Sequence, residues 1–260
     1  MSNRQWSMPA GVDRGTWDYV SSSWIADQYD KYFKDHPLFS VDQSIISEAF
    51  GPPSLSKTIV DLGCGTGRAL LPMVQAGFQG VGVDLSIAML KQLKQRATES
   101  KVSVTSLHAN LVDLSCVQRD SFAHGMCLFS TLGMIKGRTN RHQALQEFRR
   151  VIQPDGRLVL HVHNYWYNLW DPGGPWWLLK SLVGSAVFRD RERGDKHYEY
   201  RGLTNMFLHV FSKPEIRRDL QNAGWKIQRF VPLRPITLEP WTEPAWYKFF
   251  NAVGWVIVCE

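Results

Sequence analysis

Residues 58–67 read TIVDLGCGTG: a short apolar run, an acid at position 61, and glycines at 63, 65 and 67. The apolar run predicts a buried β-strand over 58–62. The glycines predict a tight turn whose backbone approaches a bound molecule closely, because glycine has no Cβ atom. Residues 68–76 then predict a helix that ends at Gly77. A strand, a glycine turn and a helix in this order are typical of an open parallel α/β sheet.

Strands and helices continue to alternate as far as residue 164, as in a sheet with crossover helices. Further strands are predicted at 80–83, 102–107, 125–130 and 157–163, and residues 154–156 predict a turn before the last of them. Ser86 and Asn140 are predicted to cap the helices between them. The apolar residues of the first of these helices share one face: Met89, Leu90, Leu93 and Ala97. The predicted fold class is α/β, a doubly wound, seven-stranded and mostly parallel sheet.

The chain divides into four predicted segments. Residues 1–56 form a helical cap that covers the ligand cleft, with helices near 24–33 and 41–50, and residues 57–164 form the α/β core. Residues 165–211 are rich in Trp, Gly and Pro and form an insertion or lid with one or two added strands. Residues 212–260 contribute a helix, opened by a capping box, and the last strands of the same sheet.

Composition narrows the class of protein. The chain has 260 residues, of which 44% are apolar and 21% charged, an ordinary globular balance. Four cysteines without paired spacing favour a reducing compartment. There is no secretory signal, and the longest apolar stretch, 245–259, is shorter than the roughly 20 residues that a membrane span needs. We therefore expect a cytoplasmic protein. Its net charge of +6 is dispersed, so nucleic acid is not the expected partner.

The glycine turn is compared with two nucleotide-binding patterns. A dinucleotide fingerprint needs a third glycine where this chain has Arg68, and a phosphate-binding loop needs a G-K-[ST] ending that is absent. Asp61 would repel phosphates but attract a ligand with a positive charge. Asp84 ends the next predicted strand, where a carboxylate accepts hydrogen bonds from ribose hydroxyls. The alternative is a structural turn in which Asp84 caps the next helix.

Three segments carry a family resemblance. VDLGCGTG at 60–67 resembles the first motif of the class I S-adenosylmethionine-dependent methyltransferases, and VGVDLS at 81–86 resembles the second. RRVIQPDG at 149–156 resembles the family's helix-to-strand segment. The resemblance covers roughly residues 49–164 and implies a Rossmann-like methyltransferase fold with S-adenosylmethionine as cofactor. The chain departs from the pattern at Ala123 and Asp155, neither of which is normally catalytic.

The resemblance also implies which residues contact the cofactor. Asp61, Gly63 and Gly65 would line its methionine end, Asp84 would hold the ribose, and Leu85 would pack on the adenine. Asn110 would contact the adenine amino group, with Leu111 beside the ring. The full predicted set is Asp61, Gly63, Cys64, Gly65, Gly67, Asp84, Leu85, Asn110, Leu111 and Tyr29. Tyr29 is included because it lies in the predicted cap; it closes the cleft or packs against the core.

A looser resemblance is to the glycine and sarcosine N-methyltransferase branch. The shared features are His-Ala-Asn at 108–110, His-Asn-Tyr at 163–165 and an added strand pair before a capped helix. In that branch an arginine two residues before the tyrosine grips the substrate carboxylate, and here that position is His163. Glycine itself is therefore not the expected acceptor, and a small amine or hydroxyl compound remains open.

The acceptor side is predicted from the carboxyl ends of strands, where ligands of such sheets bind. Ser130 and Thr131 follow the fourth strand, and Asn164 and Tyr165 follow the fifth; all four are predicted substrate contacts. His163 is the catalytic candidate, as a base or hydrogen-bond partner, because histidine titrates near physiological pH. The alternative is a neutral polar group at a strand end.

Two other features receive structural and functional interpretations. His161 is interpreted as structural, and a His161–His163 metal pair lacks a third ligand, so no metal is expected. A cluster of tryptophans either closes over an aromatic, lipid-like or cationic acceptor or fills the core of the insertion. These residues are Trp166, Trp170, Trp176 and Trp177.

The resulting functional prediction is methyl transfer from S-adenosylmethionine to nitrogen or oxygen of a small-molecule acceptor, by in-line displacement. An RNA or tRNA base methyltransferase is the main alternative. A protein that binds the cofactor without catalysis is a second, and an NAD-linked oxidoreductase is a remote third. The oligomeric state and the acceptor stay open at this point.

Overall fold

A seven-stranded sheet forms the centre of the computed structural model, which describes residues 8–34, 36–54, 57–188, 191–243 and 246–260. In chain order, the strands are β1 (Thr58–Leu62), β2 (Gln79–Asp84), β3 (Val104–His108), β4 (Phe122–Cys127), β5 (Ile152–His163), β6 (Asp195–Tyr200), β7 (Leu203–His209), β8 (Ile227–Pro232) and β9 (Gly254–Cys259). The sheet runs β3-β2-β1-β4-β5-β9-β8, and β6 and β7 form a separate hairpin. The pairs from β3 to β5 are parallel, whereas β9 is antiparallel to both neighbours. The predicted fold class is confirmed.

Helices cover both faces of this sheet. They are α1 (Arg14–Ser21), α2 (Ser23–Tyr32), α3 (Leu38–Phe50), α4 (Leu70–Ala76), α5 (Ile87–Glu99), α6 (Arg138–Val151), α7 (Gly174–Val187), α8 (Lys213–Asn222) and α9 (Lys248–Asn251). Two short 3₁₀ segments, Thr131–Met134 and Tyr165–Trp170, follow β4 and β5. Within the described ranges, no helix combines the length and apolar composition that a membrane crossing requires.

The core consists of two apolar layers, one on each face of the sheet. Alternate side chains of each strand enter opposite layers, as the two-residue period of a strand requires. In β1, Val60 packs with α6 and α8, whereas Ile59 packs with α3 and α4. Because both faces are covered, the central strands are buried along most of their length.

Several predicted elements are confirmed in detail. β1 has the predicted bounds. The Ser86 hydroxyl caps α5 by accepting the N–H of Met89 at 3.3 Å, and the four residues predicted to share a face are the buried ones. Ser212 and Glu215 form the predicted capping box at the start of α8.

Three predicted boundaries were wrong. β4 ends at Cys127 and not at residue 130, because Phe129 and Ser130 take left-handed backbone with φ of 54° and 60°. Asn140 lies inside α6, whose N-cap is Gly137, and its side chain donates to the carbonyl of Lys136. Residues 154–156 belong to a single long β5 that bulges against β4, so the predicted turn does not end the strand.

The segments outside the core contain more regular structure than the sequence indicated. In the cap, α2 and α3 agree with the helices predicted near 24–33 and 41–50, and α1 was missed. The tryptophan-rich insertion contains a full helix, α7, before the β6–β7 hairpin. Residues 1–7, 35, 55 and 56 of the predicted cap lie outside the described residues.

Candidate functional site

A cavity opens at the carboxyl ends of β1, β2 and β4, beneath the cap helices. It encloses about 1010 Å³ of space free of protein atoms, counting the solvent at its mouth. Its floor comes from the glycine turn, the end of β2 and residues 110–111, and its roof from α1 and α2. This position is where an open α/β sheet changes strand order and binds ligands.

The three glycines of the turn after β1 all have positive φ but serve different purposes. A Cβ on Gly63 would lie 2.3 Å from the methyl of Thr131, and one on Gly67 would lie 2.2 Å from Leu93. Gly63 therefore permits contact with the segment after β4, and Gly67 permits packing against α5. A Cβ on Gly65 would meet nothing within 4 Å, so this glycine borders open space. Gly67 is the one predicted cofactor residue that does not line the cavity.

Asp84 holds the glycine turn in place. Its Oδ2 accepts the backbone N–H of Gly65 at 2.8 Å, and its Oδ1 accepts that of Ser86 at 2.7 Å. Burial raises the pKa of this carboxyl, and the bonds from Ser86 and Gly65 act in the opposite direction. Each carboxylate oxygen keeps a second lone pair for a ligand hydroxyl.

Asp61 is a buried acid in the cavity wall, with 2% of its surface exposed. Burial raises its pKa to about 7; Asp84 and Asp42 push it in the same direction, and Arg68 opposes them. Burial makes ionisation of this carboxyl unfavourable, so a positive charge that binds beside it stabilises the ionised form. The cavity therefore favours a ligand with a cationic group at the end of β1.

Arg68 fills the part of the wall where the dinucleotide pattern would need glycine. Its Nη2 donates to Asp42 Oδ2 at 3.2 Å, and its guanidinium lies 3.9 Å from the ring centroid of Phe39 and 5.6 Å from that of Phe129. Burial raises the pKa of Asp42 to about 6, and Arg68 lowers it. Arg68 is thus packed and ion-paired at a position where the dinucleotide pattern has no side chain.

Leu85, Asn110 and Leu111 line the cavity on the β2 side, where the adenine was predicted. The Asn110 amide nitrogen donates to the carbonyl of Ala10 at 2.9 Å, and its oxygen accepts the N–H of Val112 at 3.1 Å. This side chain therefore connects the cavity floor to the chain just before α1. The second N–H of the amide remains available to a ligand.

The roof is attached to the glycine turn by polar contacts. Thr66 Oγ1 donates to Asp30 Oδ1 of α2 at 2.6 Å, and Arg96 of α5 donates to the same Asp30 oxygen at 3.1 Å. Tyr29, next to Asp30, lines the cavity, and burial raises its pKa. Cys64 also lines the cavity, and burial raises the pKa of its thiol.

Sequence reasoning missed the contribution of α1. Thr16, Tyr19 and Val20 line the cavity and follow the i, i+3, i+4 spacing of one helix face. The Thr16 hydroxyl is buried and has no hydrogen-bond partner among the described residues, so it is a free polar group at the ligand surface. Asp13, which caps α1, was the available signal for this helix.

The predicted acceptor residues have different surroundings. Of the four, Thr131 lines the cavity, and its hydroxyl donates to the carbonyl of Leu128 at 2.8 Å. Ser130 is buried, and its Oγ accepts the N–H of His163 at 3.4 Å. The Asn164 amide donates to the carbonyls of Phe249 and Ala252, at 3.1 and 2.8 Å.

Tyr165 is also buried, and its hydroxyl donates to the carbonyl of Leu178 at 3.4 Å. Like Ser130 and Asn164, it lies outside the cavity lining. The strand-end rule placed these backbones correctly, but it does not give the direction in which each side chain points.

His163 ends β5 and is half-buried, outside the cavity lining. Burial lowers its pKa to about 4, and Lys196 and His36 lower it further. A lowered pKa makes the ring neutral at pH 7 and a weak proton acceptor, which favours the role of hydrogen-bond partner over that of base. The neighbouring His161 ring lies 5.3 Å away, is fully buried and also has a lowered pKa because of burial.

A separate cluster of acids and one histidine lies near the hairpin. Ligand atoms of Glu192, Asp195 and His209 lie within 4.8 Å of one another. However, His209 already bonds Asp195 at 2.7 Å and Glu215 at 3.0 Å, one through each ring nitrogen, and Glu192 pairs with Arg141 at 2.5 Å. The cluster is an ion-pair network that joins the hairpin to α6 and α8.

Comparison with known proteins agrees with this geometry. Residues 59–156 match the family model described as a methyltransferase domain. The chain is an S-adenosylmethionine-dependent methyltransferase by this domain, and its motifs and fold are similar to those of the class I family. S-adenosylmethionine is its cofactor, and a loose similarity to the glycine and sarcosine N-methyltransferase branch is present, as the motifs implied.

Two curated relatives show the extent of the similarity. Glycine/sarcosine N-methyltransferase of Aphanothece halophytica is 27% identical over 178 residues, which cover 66% of this chain and 67% of the relative. A dTDP-3-amino-3,6-dideoxy-alpha-D-glucopyranose N,N-dimethyltransferase of Streptomyces fradiae is 26% identical over 243 residues, covering 81% of this chain and 87% of the relative.

Solved structures show the same fold. A methyltransferase from Methanosarcina mazei superposes with a TM-score of 0.63 at 20% identity, covering 83% of this chain and 95% of that one. The 1,6-didemethyltoxoflavin-N1-methyltransferase of Burkholderia thailandensis, solved with its substrate and S-adenosylhomocysteine, also gives 0.63, at 14% identity, covering 98% and 92%.

Proposed function

We propose that this enzyme methylates a nitrogen or oxygen atom of a small molecule, with nitrogen as the preferred atom. The observation that carries the proposal is the roofed cavity: α1 and α2 close over the carboxyl ends of the strands. The roof is attached to the glycine turn through Asp30, and a covered cavity favours a small acceptor over a base within a nucleic-acid polymer. The preference for nitrogen is supported by relatives that are named as N-methyltransferases.

The proposed cofactor contacts follow from the cavity's charges. When bound, S-adenosylmethionine supplies a methyl group already activated by its positive sulfur. Asp61 would face the cationic amino-acid end, and Asp84 would accept hydrogen bonds from the ribose while it holds Gly65. Leu85 and Leu111 would pack on the adenine, and Asn110 would offer its free N–H. Gly65 borders the open space that this arrangement requires.

The acceptor is proposed to lie against three aromatic residues that line the cavity: Tyr19 and Tyr29 of the roof, and Phe129 after β4. Burial raises the pKa of both tyrosines, so each hydroxyl stays neutral and donates a hydrogen bond. The roles of these residues are to align the acceptor atom with the methyl group and to exclude water, an effect worth roughly 7–11 kcal/mol in well-oriented reactions.

His163 keeps a proposed role at the acceptor side, now as a neutral hydrogen-bond partner. Its low pKa makes proton removal before methyl transfer unfavourable. A neutral amine needs no such step: its lone pair forms the new C–N bond as the C–S bond breaks, and the product ammonium loses its proton afterwards to water. An unionised alcohol would need a stronger base, which is a second reason to prefer nitrogen.

The test is incubation with methyl-labelled S-adenosylmethionine and separate metabolite, RNA and protein fractions. We expect label in the metabolite fraction, and none when Asp84→Ala replaces the wild type. Label in RNA would support the base methyltransferase instead. Calorimetric binding of S-adenosylhomocysteine without transfer to any fraction would support a non-catalytic binding protein. NADH binding would support the oxidoreductase.

A further inference from the structure

Helix α7 presents an apolar face that no described residue covers. Its inner face carries Leu178, which is buried against Tyr165 and Val210. The opposite face follows the 3- and 4-residue spacing of a helix stripe. That stripe consists of Trp176, Leu179, Val183 and Val187, which are 61%, 49%, 53% and 64% exposed. Trp170, before the helix, is 62% exposed, and Phe188, after it, is 50% exposed.

The stripe is long and free of acids. From residue 176 to residue 187 an α-helix rises about 17 Å. The sequence of α7, GPWWLLKSLVGSAV, contains no Asp or Glu. The tryptophans predicted to close over the acceptor or to fill the insertion are therefore divided: Trp166 and Trp177 pack inward, and Trp170 and Trp176 face solvent. Exposed apolar surface of this extent marks an interaction site.

Cations border the stripe. The Lys180 ammonium lies 5.3 Å from the Trp176 ring centroid, and the Arg191 guanidinium lies 4.8 Å from that of Phe188. Arg193 and Arg218 line a second, shallow cavity beside α7. The nearby acids are already engaged: Glu192 pairs with Arg141 and Glu215 with His209. Within the described part of the chain, none of the four cations has a carboxylate at ion-pair distance.

We propose that this surface, the α7 face, docks on an anionic phospholipid bilayer, with α7 lying in the plane of the interface. An apolar stripe with tryptophan and a rim of Lys and Arg is the pattern of helices that lie on membranes. Aromatic rings prefer the headgroup level, and the cations meet lipid phosphates there. The helix is too short to cross the bilayer, so it lies on it.

Charge distinguishes this occupant from a second copy of the chain. A symmetric pairing through α7 would bring equivalent cations near one another at the rim of the interface. With a net charge of +6 on each copy, such a contact is repelled, whereas an anionic surface is attracted. The charges thus favour an anionic surface.

The test is co-sedimentation of the full chain with vesicles of phosphatidylcholine alone and with added phosphatidylglycerol. We expect at least tenfold stronger partition onto the anionic vesicles. Val183→Glu should lower that partition at least tenfold, because it places a charge at the centre of the stripe. Lys180→Gln and Arg191→Gln should each lower it about fivefold. Lys91→Gln removes a positive charge on α5, which packs on β2 and β3, and should change partition little.

Several outcomes would overturn the proposal. One is equal partition onto neutral and anionic vesicles, or none onto either. Another is unchanged partition of Val183→Glu, with its fold checked by circular dichroism. If that variant does not fold, unchanged partition of the two glutamine variants overturns it equally. If sedimentation velocity shows that the wild type is a dimer and that Val183→Glu is a monomer, the α7 face binds a second copy of the chain instead.

Discussion

Protonation of Asp61 should control cofactor affinity. Burial raises the pKa of this carboxyl to about 7, and the proposed ligand brings an ammonium group that favours the ionised form. Binding therefore requires Asp61 to lose its proton. A group with a pKa of about 7 is ionised in roughly three-quarters of molecules at pH 7.5 and in roughly a tenth at pH 6. The affinity for S-adenosylhomocysteine should thus fall about eightfold between these values.

The same pKa shift has the opposite effect on the stability of the empty protein. The folded-state pKa lies above the unfolded value of 3.8, so this group's stabilisation is fully present below that value. It is lost as the pH rises towards 7. Relative to Asp61→Asn, the wild type should therefore become less stable as pH rises through this window, while its affinity for the ligand increases. This divergence separates a local effect of Asp61 from general loss of the fold.

Isothermal titration calorimetry at the two pH values measures the affinity, and repetition in buffers of different ionisation enthalpy measures the proton released. Asp61→Asn serves as the matched control and should remove most of the pH dependence. The reasoning is refuted if wild-type affinity is the same at both pH values, or if the asparagine variant shows an equally steep dependence.

Four further substitutions test the site and the fold. Gly65→Ala should weaken S-adenosylhomocysteine binding and cost about 1 kcal/mol of stability, because Gly65 has left-handed backbone. Gly63→Ala should mainly destabilise the fold, because its Cβ would lie 2.3 Å from the Thr131 methyl. Equal shifts of the urea midpoint in the two variants would contradict this expectation. Asp84→Ala should remove calorimetrically detectable binding with a cooperative melt retained, and unchanged affinity would falsify the ribose assignment. Burial opposes a charge on His209, but the hydrogen bonds that its ring donates to Asp195 and Glu215 outweigh burial and raise its pKa. Its stabilisation is present at pH 6 and lost as pH rises through the folded-state pKa, so urea midpoints should fall from pH 6 to 8 in the wild type and less in His209→Gln.

Local sequence signals were enough to predict which residues of the glycine turn and which two acids lie at one end of the sheet. An acid at the end of each of two adjacent strands, with glycines after the first, occupies positions that the backbone path alone brings together. Because β1 and β2 are parallel neighbours, Asp61 and Asp84 lie at the same edge of the sheet, and contacts with distant segments are not needed to predict this. The stripe on α5 was equally local, because burial of Met89 and Leu93 follows from helical spacing.

The acceptor side could not be predicted in the same way. Ser130 follows a strand as expected, but its left-handed backbone directs its side chain towards β5 and not into the cavity. The Asn164 amide donates hydrogen bonds to the carbonyls of Phe249 and Ala252, which lie more than eighty positions away in the sequence. The direction of such a side chain depends on partners that lie far away in sequence, and no local pattern encodes it.

By itself, the sequence determined the alternation of strands and helices in the core, the glycine turn and the two acids at the ends of β1 and β2, because these depend on backbone conformation and short-range spacing. The tertiary structure alone decided that one face of α1 lines the cavity, that burial brings the pKa of Asp61 to about 7, and that α7 leaves an apolar face exposed. These properties arise from desolvation and packing, and both depend on which distant segments lie against a residue after folding.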